Sequence, residues 1–382
     1  MNVELIRSLD ALRREEIIWG KLWRTHPRPE IFQHHAWSVA ITEAYQWEHR
    51  LYILLLRSTE GEPVGICPWA LSEGRITWLT SPRADYNDVV CAATDGPRVV
   101  ETCLRHLQET SGRDWHEVFL EDVPDASVWS TSIRNLKKSP FKIAPENPEA
   151  CCSVRMDEDG NVLRDIMAKK GYKRNEKELA KLGGVSLDEQ ITLDQRMTTL
   201  PFFFDLHIAR WAAAGRSSMF SEESAREFYR LLMRDPELAS LIDFTSLNVN
   251  GEHVAHHIGF WGAGRLLAYK WCFDPALQKA GPGTVLMIHL MTHMVKRGFF
   301  EFDFMRGGEN YKARFANASH LSHDWRAFAS PVRRQIHEAK AYLRQAHPVL
   351  ARSLGALSRC DFRSAWEIMR TSPDQTLSKP DT

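Results

Sequence analysis

Residues 61–75 read GEPVGICPWALSEGR, and residues 251–265 read GEHVAHHIGFWGAGR. Set at an offset of 190 with no gap, Gly61 meets Gly251, Glu62 Glu252, Val64 Val254, Gly74 Gly264 and Arg75 Arg265. An apolar run precedes each stretch (residues 51–56 and 241–249) and another follows it (76–79 and 266–273). Both copies read as strand, Gly-Glu turn, strand, Gly-Arg turn, strand, an antiparallel meander punctuated by glycine turns. A helix and a further strand are then predicted twice, over 99–110 and 117–121, and over 284–297 and 299–305. Recurrence of the order, as well as of the residues, points to duplication of one α+β unit.

The length of 382 residues allows two or three domains. Pro140, Pro145, Pro148 and the polar residues 146–149 read as a linker across residues 140–156. The expected division is therefore residues 1–150 and 151–331, followed by 332–382 as a helical extension (helix over 333–345) and a tail ending TSPDQTLSKPDT, whose composition suggests disorder. With 43% hydrophobic and 26% charged residues the chain reads as globular rather than disordered or fibrous. Lys plus Arg and Asp plus Glu number 49 each, a net charge of zero that argues against a general nucleic-acid coat or a polybasic membrane binder. No apolar run approaches the roughly 18 residues of a membrane span, and the start MNVELIRSLDALRREE is too charged for a signal peptide. The expectation is a cytoplasmic protein with no membrane partner. Seven cysteines contain no CxxC pair, so neither a zinc knuckle nor a disulfide framework is indicated. Most of the 13 tryptophans are expected in the core.

The second copy carries the sharper chemistry. After the strand over 265–273 the chain runs Gln278-Lys-Ala-Gly281-Pro-Gly283-Thr284 and enters the helix VLMIHLMTHMVKRG. A glycine turn opening a helix presents free N–H groups at the positive end of the helix dipole, where a pyrophosphate fits. The next strand reads Phe299-Phe-Glu301-Phe-Asp303-Phe-Met305 and leads into Arg306-Gly-Gly-Glu309-Asn-Tyr311-Lys312. Alternation puts Phe300, Phe302 and Phe304 on one face, and Glu301 and Asp303 on the other. A carboxylate at a strand's carboxyl end, followed by a glycine turn with Arg, Glu, Tyr and Lys, is a natural catalytic cluster; a solvated strand face is the plainer alternative.

Gln278-x-x-Gly281-x-Gly283 resembles the acetyl-CoA pyrophosphate loop of the GNAT acyltransferase superfamily. The run from Phe302 to Lys312 resembles the signature of the CelD-type acetyltransferases, a branch with two tandem GNAT-like domains related to the Fem peptidyltransferases. Leu206-His207-x-x-Arg210-Trp211 and Asp85-Tyr86-x-Asp88 resemble its other recurrent marks, and the similarity spans roughly residues 30–330. The resemblance implies two GNAT-like domains of mixed, mainly antiparallel sheet with flanking helices. It also implies acetyl-CoA or another acyl-CoA as co-substrate, no metal, and a small amine as acceptor; a homodimer is compatible with it. The first copy has no Gly-x-Gly opening a helix. It is expected to supply acceptor contacts instead, through Asp85, Tyr86 and Asp88.

In the implied reaction Gln278, Gly281, Gly283 and Thr284 hold the pyrophosphate, and backbone amides near residues 271–274 polarise the thioester carbonyl. Asp303 is the first candidate for base and His207 the second; Tyr311 is the candidate acid. Arg210, Trp211, Arg306, Glu309 and Lys312 are candidate substrate contacts, Arg suiting bidentate anion recognition and Lys a point charge. Lys270 interrupts an apolar strand and is expected to pair with a carboxylate in the site. His289 and His293 share a helix face at a zinc-binding spacing, but no third ligand follows. Two alternatives remain. One is a Fem-like transferase using aminoacyl-tRNA, favoured slightly by residues 164–181, where seven basic residues stand against three acidic. The other is a catalytically silent binding protein with the same fold, against which the joint presence of Gln278, Gly281, Gly283, Asp303 and Tyr311 speaks.

Overall fold

The repeat is written into the backbone dihedrals. Gly61 and Gly251 both have φ of +90°, Gly74 and Gly264 have +71° and +75°, and the residues before the latter pair, Glu73 and Ala263, have +49° and +48°. Two successive positive φ values make a hairpin turn whose twist matches the strands it joins. The computed structural model describes residues 1–139 and 142–346. Pro140, Cys360 and the expected tail lie outside them.

The first half runs β1 (Asn2–Ile6), α1 (Leu9–Arg14), α2 (Glu16–Thr25), α3 (His35–Ala44), then the meander β2 (Leu51–Arg57), β3 (Pro63–Ser72), β4 (Arg75–Trp78). A two-residue β5 (Val90–Cys91), α4 (Gly96–Thr110), β6 (Glu117–Pro124) and α5 (Val128–Asn135) complete it. The second half has β7 (Ile143–Arg155), α6 (Asn161–Ala168), α7 (Lys170–Ala180), β8 (Val185–Glu189), α8 (Leu193–Ala213) and α9 (Glu223–Arg234) ahead of its meander. That meander is β9 (Ile242–Val249), β10 (Glu252–Gly262) and β11 (Arg265–Phe273). Then come α10 (Pro282–Lys296), β12 (Glu301–Asp303), α11 (Asn310–Ala313), β13 (Ala318–Phe328) and α12 (Pro331–Ala346).

The strands form one sheet in the order β1-β2-β3-β4-β6-β13-β7-β12-β11-β10-β9-β8. In both halves the third meander strand pairs in parallel with the strand after the helix: Arg75 lies opposite Glu117, and Arg265 opposite Glu301. The final strands are exchanged. β7, which follows the first half in sequence, pairs with β12 of the second, and β13 pairs with β6 of the first. β7 and β13 also pair with each other, from Ala318 opposite Ser153 to Ala327 opposite Ile143, which joins the halves.

This corrects the linker expected over residues 140–156, most of which is β7 at the middle of the sheet. Proline cannot donate to a sheet ladder and is tolerated in a strand at a bulge. The register breaks between the pairs Ser322–Glu149 and Asp324–Glu146, so Asn147, at φ +49°, and Pro148 fall in the break.

A second shared feature is the core. Alternate residues of β2 serve opposite faces: Leu51, Ile53 and Leu55 join a cluster with Trp19, Phe32 and Trp37, and Tyr52, Leu54 and Leu56 join another beneath α4 and α5. The first cluster continues without interruption into Phe203, Phe228, Tyr229, Phe244, Phe260 and Tyr269 of the second half. Trp37 packs edge-on against Phe228 and Phe260 at 5.1 and 5.5 Å between ring centroids. Truncating such a ring costs about 3–5 kcal/mol, so the halves stabilise each other across this cluster. A third cluster, under α10, contains Phe302 and Phe304.

Candidate active site

β11 and β12 pair over three residues, Arg265 with Glu301, Leu266 with Phe302 and Leu267 with Asp303. β11 then runs on to Phe273 against β10. The strand expected over 299–305 stops at Asp303, because Met305 takes a left-handed φ of +60° and its N–H donates to Asp303 Oδ1 at 2.8 Å. The two strands therefore part, and a cavity of about 610 Å³ opens between them. Residues 268–271, Phe273, Phe304, Met305 and Arg306 line its walls.

One end of the cavity is the start of α10. A short 3-10 turn, Pro275–Ala280, ends at Gly281, which holds the left-handed conformation (φ +66°, ψ 45°) and accepts the N–H groups of Thr284 and Val285 at 3.0 and 3.2 Å. The first-turn amide of Gly283 has no intrahelical acceptor, as at every helix start. Gln278, Gly281, Gly283 and Thr284 all line the cavity as expected. A side chain at Gly281 would run into Asn175 of α7, and a Cβ at Gly283 would stand 3.1 Å from the Phe273 ring. Arg210 of α8 lies over that ring, 4.2 Å from its centroid, which places a guanidinium beside the helix start. Trp211 and, unforeseen from sequence, Arg216 line the cavity as well. Arg216 follows the end of α8 by three residues, a position no motif marked.

Asp85, Lys270, Arg306, Glu309, Tyr311 and Lys312 also line the cavity. Asp85 comes from the first half, which thus contributes to the same cavity. Arg306 is held by Glu149, at 3.0 and 2.6 Å, and by Asp122. Lys312 pairs with Glu309 at 2.9 Å and donates to the Arg306 carbonyl. Burial pushes the Asp85 carboxyl above the usual range, against the pull of Lys270, Arg306 and Lys312. Burial likewise lowers the Lys270 ammonium, against the field of Asp85. The ion pair expected of Lys270 is not formed: among the described residues no carboxylate stands within 4.0 Å of it, and its Nζ lies 3.9 Å from the centroid of the Tyr269 ring, within the field of Asp85. Burial, reinforced by Glu309, pushes the Tyr311 phenol up to about 12.

His207 also lines the cavity. Its Nδ1 is 2.9 Å from Ser218 Oγ and its ring stacks on Trp211 at 5.5 Å. Burial, with Lys270 and Arg210 nearby, lowers it to about 4, so the imidazole is neutral at pH 7.

Three expected site residues are elsewhere. Asp303 is fully buried outside the cavity: its Oδ2 accepts from Arg265 at 2.7 Å, and its Oδ1 from Tyr86 Oη at 2.8 Å and from Met305 N–H. Arg265 also pairs with Glu30, itself 3.0 Å from Arg28. This carboxylate is the counter-ion of Arg265 where the halves meet, and it does not line the cavity. Tyr86 is buried with it. Asp88 accepts the N–H groups of Val128 and Trp129 at 2.6 and 2.8 Å, capping α5, and faces His26 at 3.2 Å. All three share one cause. A polar residue in a signature reads alike whether its partner is a ligand or the protein itself.

The other sequence candidates fall into place similarly. His293 Nδ1 is 3.4 Å from Glu189. Among the described residues no group of three or more His, Cys, Asp or Glu is placed to hold a metal, and no helix is long and apolar enough to cross a membrane. The seven basic residues of 164–181 are exposed on and around α6 and α7.

Residues 168–313 match the family described as the acetyltransferase (GNAT) domain. That span brackets all of the cavity except Asp85. No curated protein matches the chain. Among solved structures the fold is similar to the crystal structure of FemX, with a TM-score of 0.57 at 10% identity, covering 86% of this chain and 97% of that one. It is also similar to L-PGS from Bacillus licheniformis (TM-score 0.52, 10% identity, 81% and 90% covered). A third is the C-terminal domain described as that of a lysylphosphatidylglycerol synthetase from Agrobacterium fabrum (0.52, 10%, 87% and 97%). At these identities the likeness is one of fold.

Proposed function

For a chain that carries an acetyltransferase (GNAT) domain and is an acyltransferase, we propose transfer of an acyl group, acetyl in the first instance, from acyl-CoA to the amine of a small polar acceptor, in the manner of the CelD-type branch. The observation that carries this reading is the parting of β11 and β12 over a cavity that ends at the glycine-capped start of α10. A helix start with a free amide at Gly283 and a guanidinium at Arg210 suits the donor's pyrophosphate. The thioester then lies along residues 268–273 of β11, whose outer edge has no strand partner beyond Leu267 and offers backbone amides to the developing oxyanion. The second half holds the donor and the first half reaches the acceptor through Asp85.

Asp85 takes the base role expected of Asp303. It lines the cavity, and a carboxyl raised by burial is a stronger proton acceptor than an ordinary one. His207, lowered to about 4 by burial and by Lys270 and Arg210, is a poor base at neutral pH. The nitrogen attacks the thioester carbon, a C–N bond forms, the C–S bond breaks and its electron pair stays on sulfur. Tyr311, at about 12, holds its proton too tightly to be the preferred acid for a thiolate whose own value is near 8.5. The proton taken from nitrogen serves instead. Cytoplasmic action on a soluble acceptor fits this reading.

The test is a melting-temperature shift with coenzyme A or acetyl-CoA, where linkage gives roughly 2.7 kcal/mol of stabilisation at 100 times the dissociation constant. Gly283→Val should weaken that shift by crowding Phe273 and the helix start. No shift with any acyl-CoA refutes the reading.

A further inference from the structure

Resting on acyl transfer at this site, the charges of the cavity narrow the acceptor. We propose that the acceptor is a zwitterion, an amino acid or a molecule presenting an amino acid's amine and carboxylate, with its nitrogen at Asp85 and its carboxylate at Lys270.

The argument is one of elimination among the charges lining the cavity. Arg306 is satisfied by Asp122 and Glu149, and Lys312 by Glu309 and the Arg306 carbonyl. Arg210 lies over Phe273, the ring that a side chain at Gly283 would touch, and its field also reaches His207 and Tyr311. Arg216 follows the end of α8 and lines the cavity. Among the acids and lysines of the cavity, Asp85 and Lys270 remain. Among the described residues neither Asp85 nor Lys270 has an ion-pair partner within 4.0 Å, although each lies in the other's field: Lys270 Nζ stands over the Tyr269 ring at 3.9 Å, and the Arg306 backbone N–H favours the Asp85 carboxylate.

They come from different halves: Asp85 from the loop between β4 and β5, and Lys270 from the part of β11 that has left β12. The fold therefore keeps an anion and a cation facing one cavity without letting them close on each other. Burying an unpaired charge is costly, and a ligand that pairs both gains two charge-assisted hydrogen bonds in place of water. A monoamine without an anion satisfies Asp85 and leaves the Lys270 ammonium with the Tyr269 ring but no counter-ion. An amino sugar offers it only hydroxyls.

The chemistry balances. The acceptor binds as the ammonium, and Asp85 takes one proton, freeing the nitrogen lone pair. Attack forms the C–N bond and breaks the C–S bond, with its electron pair left on sulfur. Of the two protons the nitrogen gives up in becoming an amide, one ends on the thiol and the other passes to solvent.

The experiment uses the full chain, acetyl-CoA and release of free thiol, with a panel of the common amino acids, their primary amides, the corresponding deaminated acids and glucosamine. At least one amino acid should be acetylated with a kcat/KM ten-fold or more above that of its amide. Lys270→Met should bring that ratio towards one, and a retained melting shift with coenzyme A shows the variant folded. Equal use of an amino acid and its amide overturns the proposal, and so does preference for glucosamine. It is equally overturned if coenzyme A raises the melting temperature but no amino acid on the panel is acetylated. Absence of both a coenzyme A shift and any thiol release refutes the acyl-transfer reading beneath it, which keeps the two failures apart.

Discussion

Replacing Asp303 with asparagine separates the two roles a carboxylate at this position can have. In the structure Asp303 is fully buried, and its Oδ2 is 2.7 Å from an Arg265 whose side chain is 3% exposed. Removing one partner of a buried ion pair costs about 3–5 kcal/mol, because the other charge is left uncompensated. Two features place Asp303→Asn near the lower bound, about 3 kcal/mol: Arg265 keeps Glu30, and the asparagine oxygen can still accept from Tyr86 Oη and Met305 N–H. Asp303→Ala loses those two bonds as well, at about 1 kcal/mol each, and reaches about 5 kcal/mol. Urea unfolding followed by tryptophan fluorescence measures both. Turnover gives the complementary number. Loss of a general base costs 10²–10⁴-fold, whereas Asp303→Asn at saturating substrates should lose less than about ten-fold, since Asp303 does not line the cavity. A variant as stable as the parent but slowed a hundred-fold would refute the counter-ion role and restore Asp303 as the base.

Asp85→Asn should behave in the opposite way: kcat falls by about 10²–10⁴-fold while the melting shift with coenzyme A persists, and an unchanged kcat removes Asp85 from the mechanism. Gly281→Ala should destabilise by about 1–2 kcal/mol from its φ of +66° alone, with more from the collision with Asn175; a neutral substitution, by urea unfolding, contradicts the left-handed cap. Stability should rise with pH between about 4 and 6.5, because burial lowers His34 and His207 to about 4 and His256 to about 3, so over that range the unfolded chain binds protons that the folded chain does not. The contribution is present above 6.5 and is lost as pH falls through the folded values; unfolding midpoints measured across that range should flatten in His256→Gln, and an unaltered slope excludes His256 as a source.

What the sequence determined by itself is local. Gly61, Gly74, Gly251 and Gly264 take positive φ because the turns require it, and period-2 apolar runs between them become strands. Gly281 and Gly283 open α10 and face the cavity for equally local reasons, a left-handed cap and the need for space beside Phe273. Tertiary structure decided the rest. The exchange of β7 and β13 sets pairings between residues far apart in the chain, such as Ser322 with Pro124 and Glu149, and no local pattern encodes a partner at that distance. The proline-bearing stretch around residue 148 read as a linker because its bulge is defined only by the strand opposite. Asp85, Asp88 and Asp303 are chemically the same group. One lines the cavity, one caps a helix and one neutralises a buried arginine, and only the packing around each carboxylate, which fixes its solvation and its partner, makes the difference.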